Sequence, residues 1–261
     1  MTREIDESWF IDQAIDEKSK SKMNEILKLR NFVLKNNKFI ENKDEFILNL
    51  NKWKISFRED RSFSSIEVFY EIFKENEHYQ VEEFRNNNKT IIDLGANEGY
   101  FLLKTKEYNS ESRVICVEPN PFNFKNLEKN VSINNLEHVE LVNAAVDEKS
   151  GKMMLDIIEQ IGNIGSHDIK SVDRKWMKDE FIKKIQVETI SLDSIVSKFK
   201  IEKIDLLKID IEGMEVKILE NCKKALNITE KIVVERHSKE NKKRLEEILP
   251  NFGFKLIHDE D

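Results

Sequence analysis

Glycine and proline are scarce. The 261-residue chain has seven glycines and three prolines, and none of them precedes Gly95, so each later one marks a place where the backbone has to turn. Cysteine is scarcer still. Cys116 and Cys222 stand without C-x-x-C or Cys/His spacing, which excludes a disulfide framework or a zinc site as the basis of the fold. Cys116 lies in an apolar strand pattern and suits a buried thiol. No apolar run approaches the ~18 residues of a membrane span. The acidic start, MTREIDESWF, has no signal-peptide pattern, so the expectation is a soluble, cytoplasmic protein. Basic excess is missing too. Lys plus Arg total 43 against 50 Asp plus Glu, a net charge of −7, which gives no global pull toward nucleic acid. The dense basic cluster Lys242-Lys243-Arg244 fits a solvated helix face. G-x-G-x-x-G and G-K-[ST] phosphate loops are both absent.

What remains is 39% hydrophobic and 36% charged, enough for one large domain with an N-terminal extension. In residues 1–85, Ile26, Leu27, Phe32, Val33 and Leu34 recur with helical spacing. Phe46, Ile47 and Leu50 are read the same way, and Phe69, Tyr70, Ile72 and Phe73 follow. This predicts a helical N-terminal extension that serves as a packing lid, a substrate gate or a homo-oligomer contact. Residues 86–261 alternate strand and helix. Strands are expected at Val114–Val117, Val139–Val142, Lys152–Ile158, Val187–Ile190, Ile204–Ile209, Ile232–Val234 and Phe254–Ile257. Helices are expected at Phe122–Asn134, Val216–Leu226 and Asn241–Leu249. The pattern is α/β and Rossmann-like: a mainly parallel sheet with helices on both faces. Residues 159–186 break the rhythm, as insertions over active sites do.

The most informative segment is TIIDLGANEGYF, residues 90–101. A buried strand ends in Asp93, a turn carries Gly95, Asn97, Glu98 and Gly99, and a helix begins. Such a turn admits a ligand close to the backbone and aims helix N-terminal amides at an anion. Ligands of open α/β sheets bind beyond the carboxyl ends of the strands. Glu118 ends the next strand, 25 residues after Asp93, where a carboxylate accepts both hydroxyls of a ribose. Without a dinucleotide or phosphate loop, S-adenosylmethionine (SAM) fits best. Its ribose suits Glu118, its ammonium suits an acid near Asp93, and Asn143-Ala144-Ala145-Val146 offers small residues for an adenine edge.

TIIDLGANEGYF, VICVEPNPFNFKNLEKNV, ISLDSI and IDLLKIDIEGMEVKILE, in that order and spacing, resemble the FkbM-type SAM-dependent methyltransferases. The resemblance spans roughly residues 55–240 and includes the lead-in SFREDRSFSSIEVFYEIFKENEHY; the first 50 or so residues lie outside it. It implies a class I methyltransferase fold, a seven-stranded, mainly parallel sheet whose last strand is antiparallel. It also implies methyl transfer, commonly to a hydroxyl oxygen of a sugar or natural product. Carried over by position, Asp93, Gly95, Asn97, Gly99 and Glu118 contact SAM. Ala96, Tyr100, Phe101, Pro119, Asn143, Ala144, Ala145 and Asp210 are counted with them. The short C-terminus is a departure from the family pattern and puts the final strand pair in doubt.

KIDIEG carries the acceptor side. Asp210 or Glu212 is a candidate base for an acceptor hydroxyl; either one can instead bind that hydroxyl or the methionine ammonium. Lys208, set in an apolar strand, needs a partner among them. The alternative is structural, with Glu212 capping the next helix and Lys208 in a buried ion pair. His237, after Glu235 at the end of the next strand, is a third catalytic candidate. Asp210, Glu212 and Glu235 are hard-cation ligands by type, but their spacing establishes no site and no metal is assigned. The acceptor is expected to be a small molecule or glycan, its pocket drawn from the N-terminal helices and residues 159–186, where Asn163, Ser166 and His167 are polar candidates. Two rivals stand beside this reading: a nucleic-acid methyltransferase, which the Asp210-Ile211-Glu212-Gly213 turn and the acidic balance disfavour, and a SAM-binding protein without catalysis.

Overall fold

The structure is a computed structural model that describes residues 5–36, 38–75, 81, 85, 89–158, 162–163, 182–236 and 238–259, with backbone only at 162–163. Helices α1 (Glu7–Gln13) and α2 (Glu17–Asn36) open the chain. Strands β1 (Glu45–Leu50) and β2 (Trp53–Arg58) follow as an antiparallel hairpin. This corrects the helical reading of Phe46, Ile47 and Leu50. The decisive pattern there has period two. Leu48, Leu50, Ile55 and Phe57 are buried while Ile47 is exposed, and Asn51 takes the left-handed conformation (φ 51°) at the turn. A 3-10 turn, Glu59–Arg61, leads into α3 (Ser62–Phe73).

The central unit then runs β3 (Thr90–Leu94), α4 (Tyr100–Tyr108), β4 (Arg113–Val117), α5 (Pro121–Ile133) and β5 (Val139–Val142). Next come β6 (Ala145–Val146), β7 (Gly151–Ile158), β8 (Gly162–Asn163) and β9 (Ile182–Ile190). The chain continues with α6 (Leu192–Lys198), β10 (Ile204–Ile209), α7 (Glu215–Asn221), α8 (Lys223–Asn227), β11 (Thr229–Val234) and α9 (Lys239–Ile248). Five strands form a parallel sheet in the order β11-β10-β3-β4-β5. The chain leaves β3 toward β4 and β5 and later returns to its other side at β10. The strand order therefore reverses between β3 and β10, and their carboxyl ends form the switch point where such sheets bind ligands.

Three expectations need correcting. Among the described residues the parallel sheet has five strands, where seven were expected, and β7 and β9 pair antiparallel with each other in a separate sheet of order β6-β9-β7-β8. The helix expected over Val216–Leu226 breaks at Cys222, where Asp193 accepts the backbone N–H groups of Lys224 (3.3 Å) and Ala225 (2.9 Å) and starts α8 afresh. Phe254–Ile257 forms no strand; Leu256 and Ile257 are exposed, and Asp259 is held by ion pairs from Arg236 (2.6 Å) and Lys242. Side-chain pairing there replaces a backbone ladder.

Alternation along each central strand divides the core. Ile92, Leu94, Ile115, Val117, Leu207 and Ile209 face α6, α7 and α8. Ile91, Val114, Cys116 and Leu206 face α4, α5 and the N-terminal elements, sharing one cluster with Phe10, Met23, Ile26, Phe57 and Phe69. Among the described residues no helix is long and apolar enough to cross a membrane.

Because Phe57 sits wholly buried between Phe46 and Tyr100 (ring centroids 5.8 and 6.5 Å), Phe57→Ala should cost about 3–5 kcal/mol. A single urea transition followed by far-UV circular dichroism should move as a whole. A small early phase moving alone would show that the hairpin unfolds independently.

Candidate active site

The turn after β3 is shaped first by its own chain. Gly95 (φ 82°) lies so close to the neighbouring strand end that an added Cβ would stand 1.8 Å from the Asp210 carbonyl oxygen. A Cβ on Gly99 (φ 89°) would meet Leu127 Cδ1 at 2.5 Å. Packing of the turn against the backbone after β10 therefore requires Gly95, and the left-handed backbone favours glycine at both positions. Asn97 is also left-handed (φ 50°), a conformation asparagine tolerates. The N–H groups of Gly95 and Ala96 both reach Val117 O, which ties the turn to β4.

Period two places Asp93 and Lys208 on the same sheet face, and the parallel register sets them side by side. Lys208 is 3% exposed. Its Nζ lies 3.1 Å from Asp93 Oδ1 and 3.5 Å from Asp210 Oδ2, donates to Gly95 O at 3.2 Å, and sits 5.6 Å from the Phe101 ring centroid. One ammonium thus joins the ends of β3 and β10. Asp93 is fully buried. Burial pushes its carboxyl above the ordinary range, the Lys208 charge and hydrogen bond pull it down, and Asp210 adds to the rise. The next residue in the cross-strand row, Cys116, is a buried thiol held well above its usual range by burial and then by the Asp93 charge.

On the other side of the turn, Glu118 is buried at the end of β4. Its Oε2 accepts from Asn97 N (2.9 Å), and its Oε1 accepts from Asn120 N (2.8 Å) and Asn123 Nδ2 (3.4 Å). Asn143 Nδ2 donates to the carbonyls of Glu118 (2.8 Å) and Pro119 (3.3 Å), bringing the end of β5, with the buried Ala144 and Ala145, against this corner. Tyr100 and Phe101 point inward: the Tyr100 hydroxyl donates to Glu98 Oε2 (2.8 Å), and both rings belong to the core.

In KIDIEG, Asp210 is partly exposed, 26% at the side chain, with Glu212 (φ 58°) and Gly213 (φ 98°) following. Met214 stands at the N-cap of the following helix, which has no side-chain cap hydrogen bond. Fully buried, Glu215 accepts from Ile211 N (3.3 Å), Gly213 N (2.9 Å) and Asn241 Nδ2 (3.2 Å) and thereby sets the turn. Lys208 has its buried ion pair, with Asp93 the nearer acid. His237, Ser166 and His167 lie outside the described residues, and only the backbone of Asn163, on β8, is described. Among the described residues no group of three or more His, Cys, Asp or Glu is placed to hold a metal ion.

Several residues around the site lie within the resembling blocks but carry no role readable from the sequence. Arg61 places Nε 3.5 Å from Glu98 Oε1 and donates from Nη2 to Asn123 Oδ1. Asn130 takes Ser56 N and gives to Glu98 O, each at 2.8 Å. The signal for the asparagines was their helical repeat along α5.

A model of the methyltransferase FkbM domain matches residues 93–256, more than half of the chain. The chain belongs to the FkbM methyltransferase family. Its methyl donor is SAM. No curated protein matches it by sequence. Among solved structures it is similar to precorrin-6y C5,15-methyltransferase from Geobacter metallireducens (12% identity, 69% of this chain and 71% of that one, TM-score 0.41). It is also similar to a putative rRNA-methylase from Clostridium thermocellum (12%, 72% and 79%, TM-score 0.38) and to a SAM-dependent methyltransferase from Agrobacterium tumefaciens (9%, 80% and 58%, TM-score 0.40). The donor set suits this cofactor. A carboxylate and small residues stand at the ends of β4 and β5, an acid-rich cluster lies between β3 and β10, and α4 starts without a side-chain cap.

Lys208→Met should destabilise this FkbM-family protein by about 3–5 kcal/mol near neutral pH, because it strands a buried carboxylate. Asp93 has a folded-state pKa above its unfolded one, so the protonated acid is favoured in the native state and stability falls as pH rises through the raised value. Removing Lys208 lifts that value further. Urea midpoints should show the variant's deficit widening from pH 4 to pH 7, and Asp93→Asn in the same chain should recover part of it. A pH-independent deficit would contradict this account.

Proposed function

We propose that the protein transfers a methyl group from SAM to a hydroxyl oxygen of a small molecule or glycan. The carrying observation is the partly exposed Asp210 carboxylate at the switch point, braced from beneath by Lys208 and followed by the half-buried Glu212. When bound, SAM supplies an electrophilic methyl on a sulfonium. The chain supplies position and a proton acceptor. Glu118 takes the ribose hydroxyls, and Asn143, Ala144 and Ala145 border the adenine edge. Gly95, Ala96, Asn97 and Gly99 form the backbone cradle, and Asp93 acts through Lys208 by holding the turn and Asp210 together. The two acids around one lysine leave a net negative cluster suited to the methionine ammonium. Asp210 or Glu212 takes the proton that an alcohol loses as it is methylated; a base in reach contributes about 10²–10⁴-fold. An overall charge of −7 favours an uncharged acceptor over RNA.

Glu118→Ala should weaken SAM binding by at least ~1–3 kcal/mol in calorimetry, the usual cost of stranding buried polar partners; unchanged affinity would remove the ribose role. Asp210→Asn and Glu212→Gln should leave SAM bound in at least one case yet abolish S-adenosylhomocysteine release on a panel of glycosides. Normal turnover by both would clear them as bases. Methyl incorporation into RNA, or cofactor binding without turnover on any acceptor, would point to the rival readings.

A further inference from the structure

The inference rests on SAM being the cofactor and concerns a buried arginine outside the domain that the family model covers. Arg61 ends the 3-10 turn after β2 and is 3% exposed. Its Nη2 donates to Asn123 Oδ1, and its Nε stands 3.5 Å from Glu98 Oε1, a charge contact without hydrogen-bond geometry. A guanidinium carries five N–H donors. Nε and Nη1 of Arg61 make no hydrogen bond among the described residues. The contrast with Arg58, three residues earlier, is informative: it grips Asp60 with Nε at 2.6 Å and Nη2 at 2.9 Å, the two-pronged geometry of a structural pair. Arg61 is buried more deeply and is less completely used.

Its surroundings indicate what the spare donors face. Glu98, which Arg61 touches, immediately precedes Gly99 and Tyr100, where α4 begins. That helix has nine residues and no side-chain cap at its N-terminus, so its first N–H groups add partial positive charge beside the guanidinium. The bound methionine head is a zwitterion. Asp93, Lys208 and Asp210 make a net negative cluster at the β3–β10 side of the turn. Unused donors lie at the other end of the same turn. Glu98 pairs with the guanidinium and also accepts from the Tyr100 hydroxyl, which leaves Arg61 Nη1 and the first N–H groups of α4 for a further acceptor.

We propose that Arg61 binds the α-carboxylate of the cofactor, so that the N-terminal segment supplies one wall of the donor site. Arg61 is then a binding residue that reads the amino acid head and has no part in the methyl transfer itself.

The test compares two ligands that differ by one group, S-adenosylhomocysteine and its decarboxylated analogue, by calorimetry on the full chain. Wild type should prefer the carboxylated ligand by roughly 10–100-fold. Arg61→Met should lose that preference, with affinity for the decarboxylated analogue within about 3-fold of wild type, and Arg61→Lys should retain part of it. Equal wild-type affinity for both ligands overturns the proposal even if Arg61→Met fails to fold. Parallel loss of both ligands in a folded Arg61→Met, checked by circular dichroism, overturns it too and leaves Arg61 a structural brace. If wild type binds neither ligand, the cofactor assignment itself falls and takes this proposal with it.

Discussion

The Lys208 ammonium is the point on which the site depends. It lies under the switch of the sheet, between an acid from β3 and an acid following β10, with a turn carbonyl and an aromatic face beside it. A buried charge persists only where partners surround it. The two central strands must therefore keep their register for the lysine to be tolerated, and the lysine keeps the two ligand-bearing turns together. The Gly95 contact with the Asp210 carbonyl is the steric side of the same constraint. A side chain on the glycine or a shift of β10 would disturb donor turn and acceptor acid at once.

The second organising element is α5. Asn123, Asn126, Asn130 and Asn134 lie along one helix face and act through their amides. Asn123 connects Glu118 with Arg61; Asn130 connects the Glu98 carbonyl with Ser56. The helix thereby links the cofactor turn to the N-terminal hairpin by hydrogen bonds, while Phe57 and Tyr100 link the same parts by apolar packing. Segments far apart in sequence form one wall.

Much of the central unit was legible because its signals are local. Continuous apolar runs gave β3, β4 and β10, and the acid or glycine after each marked the ligand edge. What escaped reading was long-range. Lys208 clearly needed an acid, but its nearer partner, Asp93, is visible only once β3 and β10 are known to be neighbours and period two puts both residues on one face. The hairpin was mistaken for helix because Phe46-Ile47 and Leu50 suit three- and four-residue spacing, while the alternation of Leu48, Leu50, Ile55 and Phe57 was the stronger pattern. Glu215 escaped because an acid three residues beyond another acid looks like surface charge. Arg61 escaped because nothing local distinguishes a buried arginine from an exposed one.

The asparagine face also bears on how the chain comes together during synthesis. Lys54 and Ser56 present backbone N–H and C=O groups along the outer edge of β2, and the amides of Asn126, Asn130 and Asn134 close that edge as a neighbouring strand would. The helix that does this is made 70 to 80 residues later. At ~5–20 residues per second of translation the hairpin edge waits roughly 4–16 s for its cover. In that interval the nascent N-terminus is a strand template without a partner, and Lys52 and Lys54 on the hairpin provide charge against pairing with another chain.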